Sequence, residues 1–122
     1  MPTTTINIDA SGKMTAQMIE NISFQDSNSS ITAQTYVLEL YAAYAYTINT
    51  LKIISTSGTC TAAVKINGTS VTGISAVSVS STIATGTATA ANTVAVGDKI
   101  TLVITSPSSL TDLQASIKTT RI

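Results

Sequence analysis

Residues 60–71 read Cys-Thr-Ala-Ala-Val-Lys-Ile-Asn-Gly-Thr-Ser-Val. Cys60, Ala62, Val64 and Ile66 alternate with Thr61, Ala63 and Lys65, the two-residue period of a strand with one buried face. Asn67-Gly68 follows. This pair is the strongest short-range hairpin signal, because a type I′ turn needs positive φ at both central positions. A two-residue turn there sets Ile66 opposite Thr69, Lys65 opposite Ser70 and Val64 opposite Val71. Val64 and Val71 then share a face with Ile66, and Lys65 takes the other face, so register and pattern agree.

The same period runs through the rest of the chain from Ile31. Lys99–Thr105 follows the turn pair Gly97-Asp98 and carries Ile100, Leu102 and Ile104 on one face. Tyr36–Leu40, Tyr44–Ile54, Val77–Ile83, Thr87–Ala91 and Leu113–Arg121 read as further strands, set apart by Gly, Asn, Ser or Pro. No ten-residue helical pattern interrupts them, so parallel β-α-β units are not expected. The pattern predicts an all-β domain of about eight short antiparallel strands. The expected architecture is a two-sheet β-sandwich with jelly-roll-like connections over residues 31–122.

Residues 1–30 differ. They hold all three Met (Met1, Met14 and Met18), the only Phe, Phe24, and three of the six acids, Asp9, Glu20 and Asp26. Thr3–Ile8 reads as a short strand. Met14, Met18 and Ile22 lie four apart, which predicts about two helical turns over Thr15–Ile22. Asp26–Ser30 reads as a polar loop. This segment is expected to be an N-terminal arm or attachment segment, with Met14, Met18, Ile22 and Phe24 as interface residues; the alternative is a first edge strand and a loop. Met suits an irregular partner surface because it is unbranched and flexible.

Composition removes several functions. The chain has 122 residues, enough for one domain that buries roughly two-thirds of its extended surface. It has no His, which excludes His-dependent triads and His-ligated metals. Its single cysteine, Cys60, can form neither an intrachain disulfide nor a thiolate cluster. Six basic residues spread from Lys13 to Arg121 make no nucleic-acid footprint. No apolar run approaches the ~20 residues of a membrane span, and no signal peptide is expected. Ser and Thr supply 39 residues and the formal net charge is zero. Such neutral outer faces lack the charges that guard sheet edges, which points to a domain packed among copies of itself or partners.

The candidate chemistry is sparse. Glu39 alternates with Leu38 and Leu40 and reads as an outer-face residue; Asp98 reads as a turn residue. Nothing in the sequence pairs them as a glycosidase would need. Cys60 heads an inward-facing run and reads as a small core residue. Asp9 and Asp26 are too isolated for a calcium loop. No enzyme activity, cofactor or metal is expected. Four of five aromatics, Tyr36, Tyr41, Tyr44 and Tyr46, fall within eleven residues. Tyrosine offers an apolar ring with a polar tip, so Tyr41, Tyr44 and Tyr46 are candidates for core packing, a subunit interface or a glycan platform.

Three stretches carry a resemblance: residues 35–51, residues 58–73 and residues 91–106. Together they resemble a β-sandwich module of tailed-bacteriophage virion proteins, over roughly residues 32–122. The resemblance implies a non-enzymatic virion structural protein, assembled in the host cytoplasm. Shortness favours a capsid decoration or cement protein over a long fibre. The implied partners are further copies of the chain, as a homotrimer, and the major capsid protein. The alternative it leaves open is a carbohydrate- or receptor-binding module of a tail or head fibre.

Overall fold

The computed structural model describes the backbone of residues 4–8 and 14–122, and side chains from residue 19 onward. Met1, Thr3, Asp9 and Lys13, named above, lie outside the described residues, as do the side chains of Met14 and Met18. Among the described residues nine strands form: β1 (Thr4–Ile8), β2 (Met14–Asp26), β3 (Gln34–Glu39), β4 (Tyr46–Ile66), β5 (Thr69–Ser70), β6 (Val77–Val79), β7 (Ala84–Thr87), β8 (Thr93–Val94) and β9 (Ile100–Arg121). Every pairing is antiparallel, and among the described residues there is no helix. Strands β2 to β9 make one open hydrogen-bonded network, and β1 pairs with β2 alone.

The expected helix over Thr15–Ile22 does not form. These residues belong to β2. Ile19 to Asp26 pair residue for residue with Thr120 to Leu113 of β9. The four-residue spacing of Met14, Met18 and Ile22 is equally a two-residue spacing, and β-branched Thr15, Ile19 and Ile22 favour extended backbone. Ile22 and Phe24 pack half-buried against the core. Residues 19–26 are thus part of the sheet.

The short strands expected at Tyr44–Ile54 and Cys60–Ile66 are one strand, β4; those at Lys99–Thr105 and Leu113–Arg121 are one strand, β9. The two pair from Tyr46↔Arg121 to Ile66↔Ile100. Between their halves the ladder slips at Ser57/Thr59 and Thr59/Thr61. Gly58 there has φ 81°, and Ser106, Ser109 and Asp112 have φ near 50°. These left-handed residues bend both strands together without ending the pairing. Pro107 fits at this point because bulged residues need not donate to the ladder. A further slip at Ile48/Thr50 inserts Asn49, whose amide bonds Thr120 Oγ1 at 2.6 Å. Each slip changes which residues face inward: Tyr46 and Ile48, then Leu51, Ile53 and Ser55, then Cys60, Ala62, Val64 and Ile66 are buried.

The first half of β4 takes β7 and β8 on its free edge, and the second half takes β5 and β6. Likewise β3 pairs with residues 100–104 of β9 and β2 with residues 113–120. A single core draws on both halves, with Ile48, Leu51, Leu113 and Ile117 joined by Val64, Val71, Ile100, Leu102 and Ile104, all fully buried. The Asn67-Gly68 hairpin has φ of 50° and 84°, Lys65↔Ser70 and Ile66↔Thr69 as partners, and Val71 N–H donating to Val64 O at 2.9 Å.

Candidate functional site: one end of the sheet and its projecting ribbon

At one end of the sheet the loop 40–45 bonds the 95–98 turn. Ala42 N–H donates to Asp98 O at 2.9 Å, and Gly97 N–H donates to Ala42 O at 2.8 Å. The turn is closed by Asp98 N–H to Ala95 O, and the Asp98 carboxylate accepts from Ala95 N–H and from the Asn67 amide, both at 2.8 Å. Those donors, the Ala95 N–H first, hold the Asp98 carboxyl below its usual pKa. Asp98 therefore ties its own turn to the Asn67 hairpin. The chain's end joins the same region: Ile122 N–H donates to Ala45 O at 3.1 Å.

The tyrosine cluster divides. Tyr44 donates to Glu20 Oε2 at 2.6 Å, Tyr46 to Glu39 Oε1 at 3.0 Å and Tyr36 to Asp26 Oδ2 at 2.5 Å. Three of the chain's six carboxylates thus take a tyrosine hydroxyl. Burial, then the bond to Asp26, pushes the Tyr36 hydroxyl pKa up; burial, then Glu39, does so for Tyr46. For Tyr44 the bond to Glu20 leads and burial follows. Asp26 is held below its usual range by Tyr36 first and by the Asn28 N–H second. Tyr44 and Tyr46 meet edge to face at 5.8 Å, and the Arg121 guanidinium lies 3.7 Å over the Tyr44 ring. Phe24 and Tyr36 stack tilted at 4.5 Å. Tyr41 is 69% exposed, with its ring beside Gly97 and no such partner among the described residues.

The expected interface residues therefore fall into three places. Ile22, Phe24, Tyr44 and Tyr46 are packed within the domain. Tyr41 lies on the outer end. Met14 and Met18 lie in the ribbon that β1 and β2 form beyond β9. No sequence signal linked the tyrosines to their carboxylates, because the pairs lie 7 to 24 residues apart on different elements. What the sequence did not reveal is the rest of the outer end: Leu40, Val96 and Ile122 are 71%, 58% and 69% exposed.

The ribbon's register sorts its residues. Thr4↔Met18, Ile6↔Ala16 and Ile8↔Met14 are partners, as are Thr5↔Gln17 and Asn7↔Thr15. Directly paired residues share a face of an antiparallel sheet. Paired positions 4/18, 6/16 and 8/14 thus alternate along the ribbon with 5/17 and 7/15.

Burial pushes the Cys60 thiol pKa up, which makes it a poor nucleophile. Among the described residues no three Asp, Glu or Cys side chains gather as metal ligands. An open groove of about 540 Å³ lies beside Lys52, Ile83 and Gln114, and Lys52 there donates to Thr85 Oγ1 at 3.0 Å. No protein-family model matches the chain, and comparison with curated proteins gives no significant match.

Proposed function

We propose that the chain is a non-enzymatic structural protein of a tailed-bacteriophage virion, a decoration or cement protein that self-associates and binds the outside of the capsid. The observation that carries this reading is the β1–β2 ribbon. It extends past β9, and a two-stranded ribbon alone is marginally stable in water. Such a ribbon gains stability from a second surface to pack on, since each Å² of apolar area left wet forfeits about 25 cal/mol. The resemblance of residues 32–122 to virion β-sandwich modules supports the same role. So does the shared core of the two sheet halves, which fits a sheet folded at the Gly58 bend into two layers, a sandwich with jelly-roll-like connections. The proposed partners are copies of the chain, as a trimer, and the major capsid protein.

A glycan-binding role would call for a flat pair of exposed rings. Tyr44 and Tyr46 are edge to face with hydroxyls committed to carboxylates, so the structural role ranks first. Immunogold labelling and cryo-electron microscopy of particles from cells that express the chain test the reading. Ordered density on the head exterior is expected. Label found only outside particles, or at a tail tip, refutes it.

A further inference from the structure

The polar bias of the chain fails at one end of the sheet. Ser and Thr supply 39 of 122 residues, yet residues 40–46 read Leu-Tyr-Ala-Ala-Tyr-Ala-Tyr and residues 94–97 read Val-Ala-Val-Gly. Neither run holds a charge, a Ser or a Thr. The fold brings the two runs together. Ala42 N–H donates to Asp98 O, Gly97 N–H donates to Ala42 O, and the Tyr41 ring lies against Gly97. Tyr46 pairs with Val94 on one side and Arg121 on the other, and Ile122 N–H donates to Ala45 O, so Ile122 stands at the same end. Ala42, Tyr46 and Val94 turn inward and are buried. Leu40, Tyr41, Val96 and Ile122 do not: they are four of the six large apolar side chains most exposed among the described residues. The other two, Val37 and Ile83, lie elsewhere in the chain.

We propose that the Leu40–Tyr41–Val96–Ile122 patch is a contact between copies of the chain, each patch meeting the same patch of its neighbours around a rotation axis through this end. This rests on the reading of a self-associating structural protein and names the surface it uses. The occupant is a copy for two reasons. The two runs carry no charge, so they offer a charged partner nothing to pair with, whereas one apolar surface complements another of its own kind. The area also fits. Exposures of 71%, 69%, 58% and 69% leave about 500 Å² on these four residues of each copy. A standard interface takes about 800 Å² from each partner, and about 65% of it is apolar between like subunits. The four side chains thus supply the apolar centre of one such interface. The surface is preformed, because the two loops bond each other and the Asp98 carboxylate ties the turn to the Asn67 amide at 2.8 Å, so little ordering opposes docking. A patch that meets its own kind around an axis closes the oligomer instead of growing a fibre.

The test uses the full chain in solution, by sedimentation and light scattering between 1 and 200 µM. The unsubstituted chain is expected to give a closed oligomer of fixed mass. Leu40→Asp/Val96→Asp should weaken association at least tenfold while leaving far-ultraviolet circular dichroism unchanged. Ile83→Asp, at an exposed apolar site away from the patch, should leave association as it was. In a Cys60→Ser background, a short bis-maleimide should link chains bearing Leu40→Cys at least tenfold more than chains bearing Ile83→Cys. A wild-type chain that stays monomeric at 200 µM overturns the inference. So does a mass that keeps growing with concentration, an oligomer that survives the double variant, or linking at Leu40→Cys no greater than at Ile83→Cys. A monomer that still decorates particles sinks this inference alone; a stable oligomer found on no particle sinks the virion reading alone.

Discussion

Replacing Gly58 and Gly68 separately by alanine measures the bend that joins the two halves of the sheet. Both glycines have φ near 80°, so both substitutions carry the left-handed cost of an L residue, about 1–2 kcal/mol. Restricting the unfolded chain returns about 0.4–1 kcal/mol. At Gly68 nothing lies within 4 Å of the new Cβ, so the net loss should be about 1 kcal/mol. At Gly58 the Cβ would stand 2.1 Å from Ser109 O and 2.5 Å from Ser108 O, both backbone atoms. The strands must then part at the bend, where the buried Ser55 hydroxyl donates to Gly58 O at 2.9 Å. Leaving that hydroxyl unpaired adds about 1–3 kcal/mol, for a total near 2–4 kcal/mol. At this chain length 1 kcal/mol moves the melting temperature by about 3–5 °C. Calorimetry should therefore find Gly68→Ala lower by about 4 °C and Gly58→Ala lower by about 6–20 °C. Equal losses, within about 3 °C, would remove the close approach of β4 and β9 from the fold.

Removal of residues 1–18 should leave cooperative unfolding intact, because β9 keeps its partners Ile19–Asp26; removal of 1–28 strips that strand from β9 and should broaden or abolish the transition seen by calorimetry. Tyr36→Phe should cost about 0.5–1 kcal/mol at pH 7, discounted for the exposure of Asp26. Because the Asp26 pKa is lowered in the fold, its contribution is present above the unfolded value and lost as pH falls through the folded one; urea melts of the two proteins should therefore converge in strong acid. Leu113→Ala, at a fully buried site, should cost about 2–5 kcal/mol in the same assay. Self-association should change less than about threefold between 50 and 500 mM salt, since the surfaces involved carry few charges for screening to act on.

The sequence showed its local geometry well and its long-range geometry poorly. The Asn67-Gly68 hairpin was legible to the residue, because turn chemistry and alternation lie within twelve consecutive positions. The union of Lys99–Thr105 with Leu113–Arg121 was not, because Ser106-Pro107-Ser108-Ser109 has the composition of a loop. Here it is a bend held by pairing to β4, and that partner lies more than forty residues upstream. The helix expected over Thr15–Ile22 failed because a spacing of four serves both periods, and only β9, far along the chain, decides between them. Tyr41, Tyr44 and Tyr46 stood out as a cluster, yet their separation into one exposed and two committed rings follows from Glu20 and Glu39, which composition could not assign.

The pairing of β2 with β9 has a consequence for how the chain is made. The two strands are 87 residues apart at their nearest partners, Asp26 and Leu113, and 101 at Ile19 and Thr120. At about 5–20 residues per second, the ribosome delivers the partner of β2 roughly 4–17 s after β2 itself. During that interval Ile22 and Phe24 have no sheet to cover. On crowded polysomes the β9 of an older neighbour is available before a chain's own. Of the described strands, β2 is therefore the one most exposed to exchange between chains, and it waits longest for its partner.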